Sequence, residues 1–474
     1  MITLEQLVTV LGGRLLHTGK DSEFSTVRLV SRLSSTKSLS AKSIVVTARP
    51  ERWGKYFDDS SDQIPFFDEL GAGVVIVDKE PQSALGNSSA SVILVPDTRG
   101  VLRKLAHFQR LRSGASVTAI TGSAGKTTTK EMLASATEKT LRTFKSPFTS
   151  NTALEVFVNI FNTPSDTEHA IYELGIEGPD SIWGKSIATR PDCAIITSLG
   201  PAHVGKFSDM KHLAATKAEV FYGLALGGCV FVSDQCEEFG LVTELVKIRP
   251  DIQLITYGLS SNSDIFIENV ERNSNCSHVS ASFFGTTLSF NVPPFRPHLE
   301  LNALAVVARS AQLGVPQKLV FESIERFAAL DGRSQIIPLS LDGKDFQLVD
   351  DSFNANLTSL EAGFRTLQML DAKKRIAVLG EMAELGKFSD EAHDKLADLI
   401  KEFEVDHIIC TGEAMQSVVR ACGSFATAEY HTDLDELSDR VLHAISEKSA
   451  VLIKGSNSNR LTSVVQMLKR RCTD

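Results

Sequence analysis

The chain of 474 residues has only two tryptophans and five tyrosines, and its seven cysteines include no C-x-x-C pair. Cys193, Cys229, Cys236, Cys276, Cys410, Cys422 and Cys472 are scattered and odd in number. That spacing excludes a disulfide framework, a zinc ribbon and a dithiol redox motif, and it fits free thiols in a reducing compartment. Positive charge is also scarce: 49 Lys and Arg against 58 Asp and Glu leave a net charge of −9. A general affinity for nucleic acid or anionic lipid is therefore not expected, and an anionic ligand would need a local positive site. No apolar run reaches the roughly 18 residues of a membrane span. The start, MITLEQLVTVLGGRLL, lacks the basic beginning and apolar centre of a secretion signal. A cytoplasmic monomer without membrane insertion is expected. Internal repeats of fixed period and low-complexity segments are missing as well.

What is present is an ordinary globular composition, 42% hydrophobic and 23% charged with 31 Gly and 15 Pro. At roughly 150 residues per domain the length allows about three domains. Residues 1–113 alternate short apolar runs (43–47, 73–78, 91–95) with Ser-rich stretches, as in a small mixed α/β domain, and lead out through a helix over 98–111. From residue 114 buried strands alternate with helices: 117–120, 169–174 and 193–198, then 227–232, 253–257 and an alternating run over 279–290. That rhythm predicts a doubly wound α/β domain with some antiparallel strands, closed by helices over 300–313 and 317–329. A second strand and helix series follows Asp331-Gly332-Arg333, with cores at 347–349, 375–379, 407–410 and 450–453. The expected division is 1–113, 114–331 and 332–474.

The strongest chemical signal is Val117-Thr-Ala-Ile-Thr-Gly-Ser-Ala-Gly-Lys-Thr-Thr-Thr-Lys130, a buried strand, a Gly-containing loop and the start of a helix. Gly122, Ser123, Ala124 and Gly125 would let backbone N–H groups converge on phosphate oxygens, and the helix N-terminus would add its dipole. Lys126 would reach the terminal phosphates, Thr127 would offer a hydroxyl to Mg²⁺, and Thr128 would follow in the first turn. Ile120 stands where the strict G-x-x-x-x-G-K-[ST] pattern has its first glycine. A nucleoside triphosphate site, for ATP with Mg²⁺, is the better reading than a bare turn.

The spelling T-G-x-x-G-K-T-T-T resembles the ATP loop of the Mur ligase family, cytoplasmic ATP-dependent enzymes that add amino acids to the peptidoglycan precursor. Further segments resemble the same family in the same order. Tyr172-Glu173-Leu174-Gly175 looks like its E-L-G element, Thr197-Ser-Leu-Gly-Pro-Ala-His203 resembles its N-x-G-x-x-H element with Ser198 in place of the usual Asn, and Ala215-Thr-Lys-Ala-Glu-Val-Phe221 is similar to the x-x-K-x-E-I-F part of its A-x-x-K-x-E-I-F element. The resemblance implies metal roles for Thr127, Glu173, His203 and Lys217, the lysine carbamylated, and catalytic roles for Lys126, Lys217 and His203. His298-Leu-Glu-Leu-Asn302-Ala-Leu-Ala305 and Asp331-Gly-Arg333 resemble the elements through which Asn302 and Arg333 would hold the nucleotide.

Three segments narrow the branch. Asp350-Asp-Ser-Phe-Asn-Ala-Asn356, Val378-Leu-Gly-Glu-Met-Ala-Glu-Leu-Gly386 with His393, and Val451-Leu-Ile-Lys-Gly-Ser456 resemble the D-alanyl-D-alanine-adding branch. The implied architecture has three domains: an acceptor-binding domain, a central phosphate-loop ATPase domain and a Rossmann-like carboxy-terminal ligase domain. The implied substrates are UDP-MurNAc-tripeptide and D-Ala-D-Ala, joined through an acyl phosphate in cell-wall synthesis, on which cell shape and division depend. Asp351, Asn354, Asn356 and Lys454 would lie at the cleft between the last two domains, and Ser31, Arg32, Asn151 and Thr152 would meet the acceptor. The acceptor side departs from the family: the D-S-R element reads Val30-Ser31-Arg32, and the loop after the phosphate site reads Ser150-Asn151-Thr152. A ligase of the same type acting on another carboxylate, a folylpolyglutamate synthetase and a non-catalytic nucleotide-binding relative remain as alternatives.

Overall fold

The computed structural model describes every residue except 31–32, 36–37, 83–84, 202–203, 274–275, 295–296, 329 and 473–474. Three large sheets follow one another along the chain, each with helices against it, in a three-domain α/β architecture. The first has five strands in the spatial order Arg14–His17, Ser91–Leu94, Val74–Val77, Ser43–Val46 and Thr26–Leu29. Only the Arg14–His17 strand runs antiparallel to its neighbour. Its inner strands carry unbroken apolar runs such as Val-Val-Ile-Val because a parallel strand is covered on both faces. The helix Thr98–Arg112 leaves this sheet with Asp97 at its N-cap, accepting from the Arg99 amide.

The second sheet has nine strands. Its parallel part runs Gln253–Gly258, Cys229–Ser233, Cys193–Ile196, Ser116–Thr121, His169–Glu173 and Thr143–Lys145. The strand order reverses direction around Ser116–Thr121, where chain crossovers leave in opposite senses. Such a point opens a crevice at the carboxyl ends of the strands. Ile265–Arg272 joins the parallel part, and the hairpin Ser277–Phe283 and Thr286–Val292 extends the edge antiparallel. The alternating run over 279–290 is thus a hairpin, turned by Phe284 and Gly285, both at positive φ.

The third sheet runs Gln335–Leu341, Lys344–Asp350, Ser449–Lys454, Lys374–Gly380, His407–Thr411 and Thr427–Tyr430, parallel except at its first strand. Two expected elements are shorter than the sequence suggests. The strand expected over 193–198 stops at Ile196, because Thr197 and Ser198 turn to bond the phosphate loop. The helix expected to reach residue 329 ends at Glu325.

Candidate functional site

The Ser116–Thr121 strand and the Lys126–Thr137 helix are joined by the glycine loop at the crevice of the nine-stranded sheet. Gly122 has φ +146, and a Cβ there would lie 2.1 Å from Thr197 Oγ1. Gly125 has φ +81 and forms the N-cap of the helix. Neither position accommodates a side chain without strain. Thr197 Oγ1 donates to the Ala124 carbonyl, the Ala124 amide donates to Ser198 Oγ at 3.1 Å, and the Ser123 amide donates to the Ser198 carbonyl at 2.7 Å. The neighbouring strand end therefore fixes the loop from outside.

Charged groups gather on this loop. Lys126 Nζ donates to the Gly122 carbonyl at 2.8 Å, and Lys217, from the Met210–Ala218 helix, donates to the same oxygen at 3.0 Å. Burial and then the neighbouring Lys126 cation push the Lys217 ammonium well below the usual lysine range. Burial also lowers Lys126; Glu173 opposes the shift and Arg333 adds to it. Opposite them Thr127 Oγ1 donates to Glu173 Oε2 at 2.8 Å, and Asn151 Nδ2 donates to Glu173 Oε1 at 2.8 Å. The Glu173 side chain is 1% exposed, so its carboxylate is held by directed donors.

Asn302 is buried against Gly125, with Oδ1 3.1 Å from where a glycine Cβ would stand, and among the described residues its Nδ2 has no hydrogen-bond partner. An orphaned buried donor beside a phosphate loop fits a nucleotide. Arg333 approaches from the start of the third sheet, its guanidinium 4.1 Å above the Phe353 ring. Thr128 occupies the first turn of the Lys126–Thr137 helix, half-buried.

Hard oxygen donors for Mg²⁺ are present in the Thr127 hydroxyl and the Glu173 carboxylate. Lys217 reaches the loop through the Gly122 carbonyl, and as an amine it holds no cation; His203 lies outside the described residues. Among the described residues no group of three or more His, Cys, Asp or Glu is arranged to hold a metal ion.

Of the residues expected to meet the acceptor, Asn151 touches Glu173, and Thr152 forms a capping box with Glu155 at the head of the Ala153–Asn162 helix. Ser31 and Arg32 lie outside the described residues. The Asn162 side chain bonds both the amide and carbonyl of Val27, which ties the central domain to the sheet that precedes Ser31.

On the carboxy-terminal side, Asn356 caps the Leu357–Met369 helix and reaches the Ser123 carbonyl at 3.5 Å. Asn354 is exposed, its Oδ1 accepting from the Ala355 amide. Asp351 and Lys454 form an ion pair at 2.6 Å, with Lys454 2% exposed. Lys454 is therefore turned toward Asp351 and away from solvent.

Sequence reasoning passed over Lys130, fully buried, 3.6 Å from Glu173 and 3.4 Å from Glu131. Its place four residues after Lys126, on the same helix face, was the available signal. It also passed over Lys185, buried and paired at 2.8 Å with Glu177, which accepts from the Ala153 amide. No local motif marks that residue.

Residues 120–309 match the Mur ligase middle domain, and residues 332–457 match the Mur ligase, glutamate ligase domain. A UDP-N-acetylmuramoyl-tripeptide–D-alanyl-D-alanine ligase of Escherichia coli is 27% identical over 475 aligned positions, covering 100% of this chain and 99% of the relative. The crystal structure of MurF from Acinetobacter baumannii superposes with a TM-score of 0.84 at 24% identity, covering 99% of both chains. MurF ligase from Thermotoga maritima, in complex with ADP, superposes with a TM-score of 0.77 at 20% identity, covering 94% of this chain and 98% of the other.

Proposed function

Because the chain belongs to the Mur ligase family, we propose that it is an ATP-dependent acid–amino-acid ligase joining D-alanyl-D-alanine to UDP-N-acetylmuramoyl-tripeptide. It works in peptidoglycan precursor synthesis, and through it in cell-wall biogenesis, cell shape and division. The observation that carries this reading is the convergence of Lys126 and Lys217 on the Gly122 carbonyl, with the Thr127–Glu173 pair across from them. The full-length similarity to a ligase of this name supports the choice of substrates.

In this reaction class the carboxylate of the tripeptide takes the γ-phosphoryl group of ATP, releasing ADP. The amine of the dipeptide then attacks the acyl carbon and expels phosphate as the amide forms. The electrostatic difficulty is to bring a carboxylate against an anionic phosphate. Lys126 is placed to neutralise charge on the terminal phosphates, and the loop amides with the helix N-terminus bind them. Mg²⁺, held by Thr127 and Glu173 with His203 and carbamylated Lys217, would supply further charge neutralisation.

Burial and the neighbouring Lys126 cation depress the basicity of Lys217, which favours its neutral amine over the ammonium. That form adds CO₂ and releases a proton, which converts a cation into an anionic oxygen ligand. Asn302 and Arg333 hold the nucleotide, while Asp351, Asn354, Asn356 and Lys454 shape the cleft on the side of the incoming amine. Ser31, Arg32, Asn151 and Thr152 lie toward the acceptor. The tasks divide as acceptor binding by 1–113, ATP chemistry by 114–331 and amine delivery by 332–474, in a cytoplasmic monomer. Seven free thiols suit that compartment, and no helix of the described residues is long and apolar enough to cross a membrane.

The test is ADP release with UDP-MurNAc-tripeptide and D-Ala-D-Ala, alongside simple amino acids, dipeptides and folate polyglutamates. Turnover confined to the muramoyl tripeptide with D-Ala-D-Ala, abolished in Lys126→Ala and Lys217→Ala, is the expected result. Turnover with a different carboxylate would replace the acceptor, and no nucleotide turnover with any pair would remove the enzyme assignment.

A further inference from the structure

Lys130 is fully buried, yet neither the phosphate contacts of the loop nor the proposed ligands of Mg²⁺ require it. Its ammonium lies 3.4 Å from Glu131 and 3.6 Å from Glu173, and it donates to the carbonyl of Phe148. Burying a cation is costly unless each of its protons finds a partner, and here the partners come from three separate segments.

The Phe148 carbonyl belongs to the turn 146–151, which folds over Glu173. Ser146 receives the Glu173 amide on its hydroxyl at 3.1 Å and donates its own amide to Ile171 at 2.9 Å. The Ser150 amide closes the turn onto Pro147 at 3.0 Å, and Asn151 reaches the second oxygen of Glu173. Phe148 itself, 89% exposed, is held at φ +45, a backbone state that persists only where surroundings enforce it.

On this geometry we propose that Lys130 is a positioning residue, one that anchors the Glu173 carboxylate and the 146–151 turn together so that Glu173 is aimed before Mg²⁺ arrives. The inference rests on the ATP-dependent reading of the site. Two effects of the ammonium oppose each other. It compensates a carboxylate whose hydrogen bonds come from the neutral donors Thr127 and Asn151, adding to the longer-range pull of Lys126 and Arg333, which favours a competent ligand. It also repels a divalent cation nearby. Glu131 is also paired with Lys145, so among the described residues Lys130 is the cation within 4 Å of Glu173; the Phe148 carbonyl holds it there, and anchoring dominates.

The experiment measures ADP affinity of the full chain by calorimetry, with and without Mg²⁺, in the wild type, Lys130→Met, Lys130→Gln and Lys130→Arg. Melting temperatures serve as a folding control, and the KM for Mg²⁺ is separated from kcat. Expected is a wild-type affinity gain from Mg²⁺ that falls about tenfold in Lys130→Met, roughly 1.4 kcal/mol, while metal-free ADP affinity holds. Lys130→Gln, which keeps a donor for the Phe148 carbonyl and serves in place of Lys130→Met should that variant fail to fold, should lose most of the gain, and Lys130→Arg should restore part of it. An unchanged Mg²⁺ gain in Lys130→Gln overturns the proposal, an increased one overturns it in favour of bare repulsion, and an equal loss of metal-free and metal-dependent affinity overturns it in favour of a purely structural role. A wild type that binds no ADP under any condition overturns the ATP-dependent reading itself, and the proposal with it.

Discussion

Replacing Lys454 by methionine tests the energetics of the third sheet. Lys454 Nζ lies 2.6 Å from Asp351 Oδ2, with the two side chains 2% and 12% exposed. The lysine also donates to the Asn354 carbonyl at 2.9 Å, and Asp351 accepts from the Ser334 amide at 3.1 Å. Burial pushes the Asp351 carboxyl upward, and Lys454 is the largest opposing influence. Lys454→Met leaves that carboxylate and one carbonyl without the cation. Removing one partner of a buried pair costs about 3–5 kcal/mol, against under about 1 kcal/mol for an exposed pair. The double variant Lys454→Met, Asp351→Asn removes both charges, so a coupling of about 2 kcal/mol or more is expected.

The readout must sit in this sheet. The two tryptophans, Trp53 and Trp183, precede it in the chain, so hydrogen exchange of the Ser449–Lys454 strand is the appropriate measure. That strand is flanked on both edges, by Lys344–Asp350 and Lys374–Gly380. At about 1.4 kcal/mol per tenfold, protection should fall about a hundredfold or more in the single variant and recover much of the way in the double. A fall under about tenfold with no coupling refutes the ion-pair reasoning. In that case weakened acceptor or amine binding at unchanged protection would return Lys454 to a direct role toward substrate.

Other outcomes follow from the same geometry. Gly122→Ala forces a Cβ to 2.1 Å from Thr197 Oγ1 at a φ of +146. Crowding of about 1–3 kcal/mol and backbone strain of about 1–3 kcal/mol should together lower the melting temperature and abolish ADP binding in calorimetry. Gly205→Ala places a Cβ 2.5 Å from the Gly386 amide, where the Gly205 amide bonds the Glu384 carbonyl across the domain boundary. It should loosen the third domain, seen as a larger radius of gyration in small-angle scattering and a lower kcat, with ADP affinity kept. Glu429 is held down to about 2 by its hydrogen bond to Arg440, with further help from His407 and His431. A depressed carboxyl stabilises above its ordinary value of 4.5 and loses that contribution as pH falls toward 2. The stability difference between wild type and Arg440→Ala in urea unfolding should therefore be largest at pH 5 and above and shrink below 4.5.

Much of the site could be read in the sequence because it lies in short contiguous stretches. Gly122 to Thr128 form one loop and helix start whose function is local backbone geometry, and Glu173 ends the strand that the apolar run from His169 announces. The partners of these residues were harder to read. Lys217 meets Gly122 across 95 residues of chain, and Thr197 steadies Ala124 across 73. Lys130 resembles any lysine on a polar helix until the 146–151 turn is laid over it.

The sequence by itself determined the cores of the main strands and helices, where the chain turns at the phosphate-loop glycines, and which family chemistry the loop carries. These follow from hydrophobic period, φ preference and residue type, which act over a few neighbours. Only the tertiary structure decided that Lys454 serves Asp351, that Asn302 presents an orphaned donor to the phosphate loop, and that Lys130 joins Glu173 to the turn above it. The physical reason is burial. The worth of a charge or donor depends on how much water has been removed from it and on what stands within about 3 Å, and packing, not local sequence, sets both.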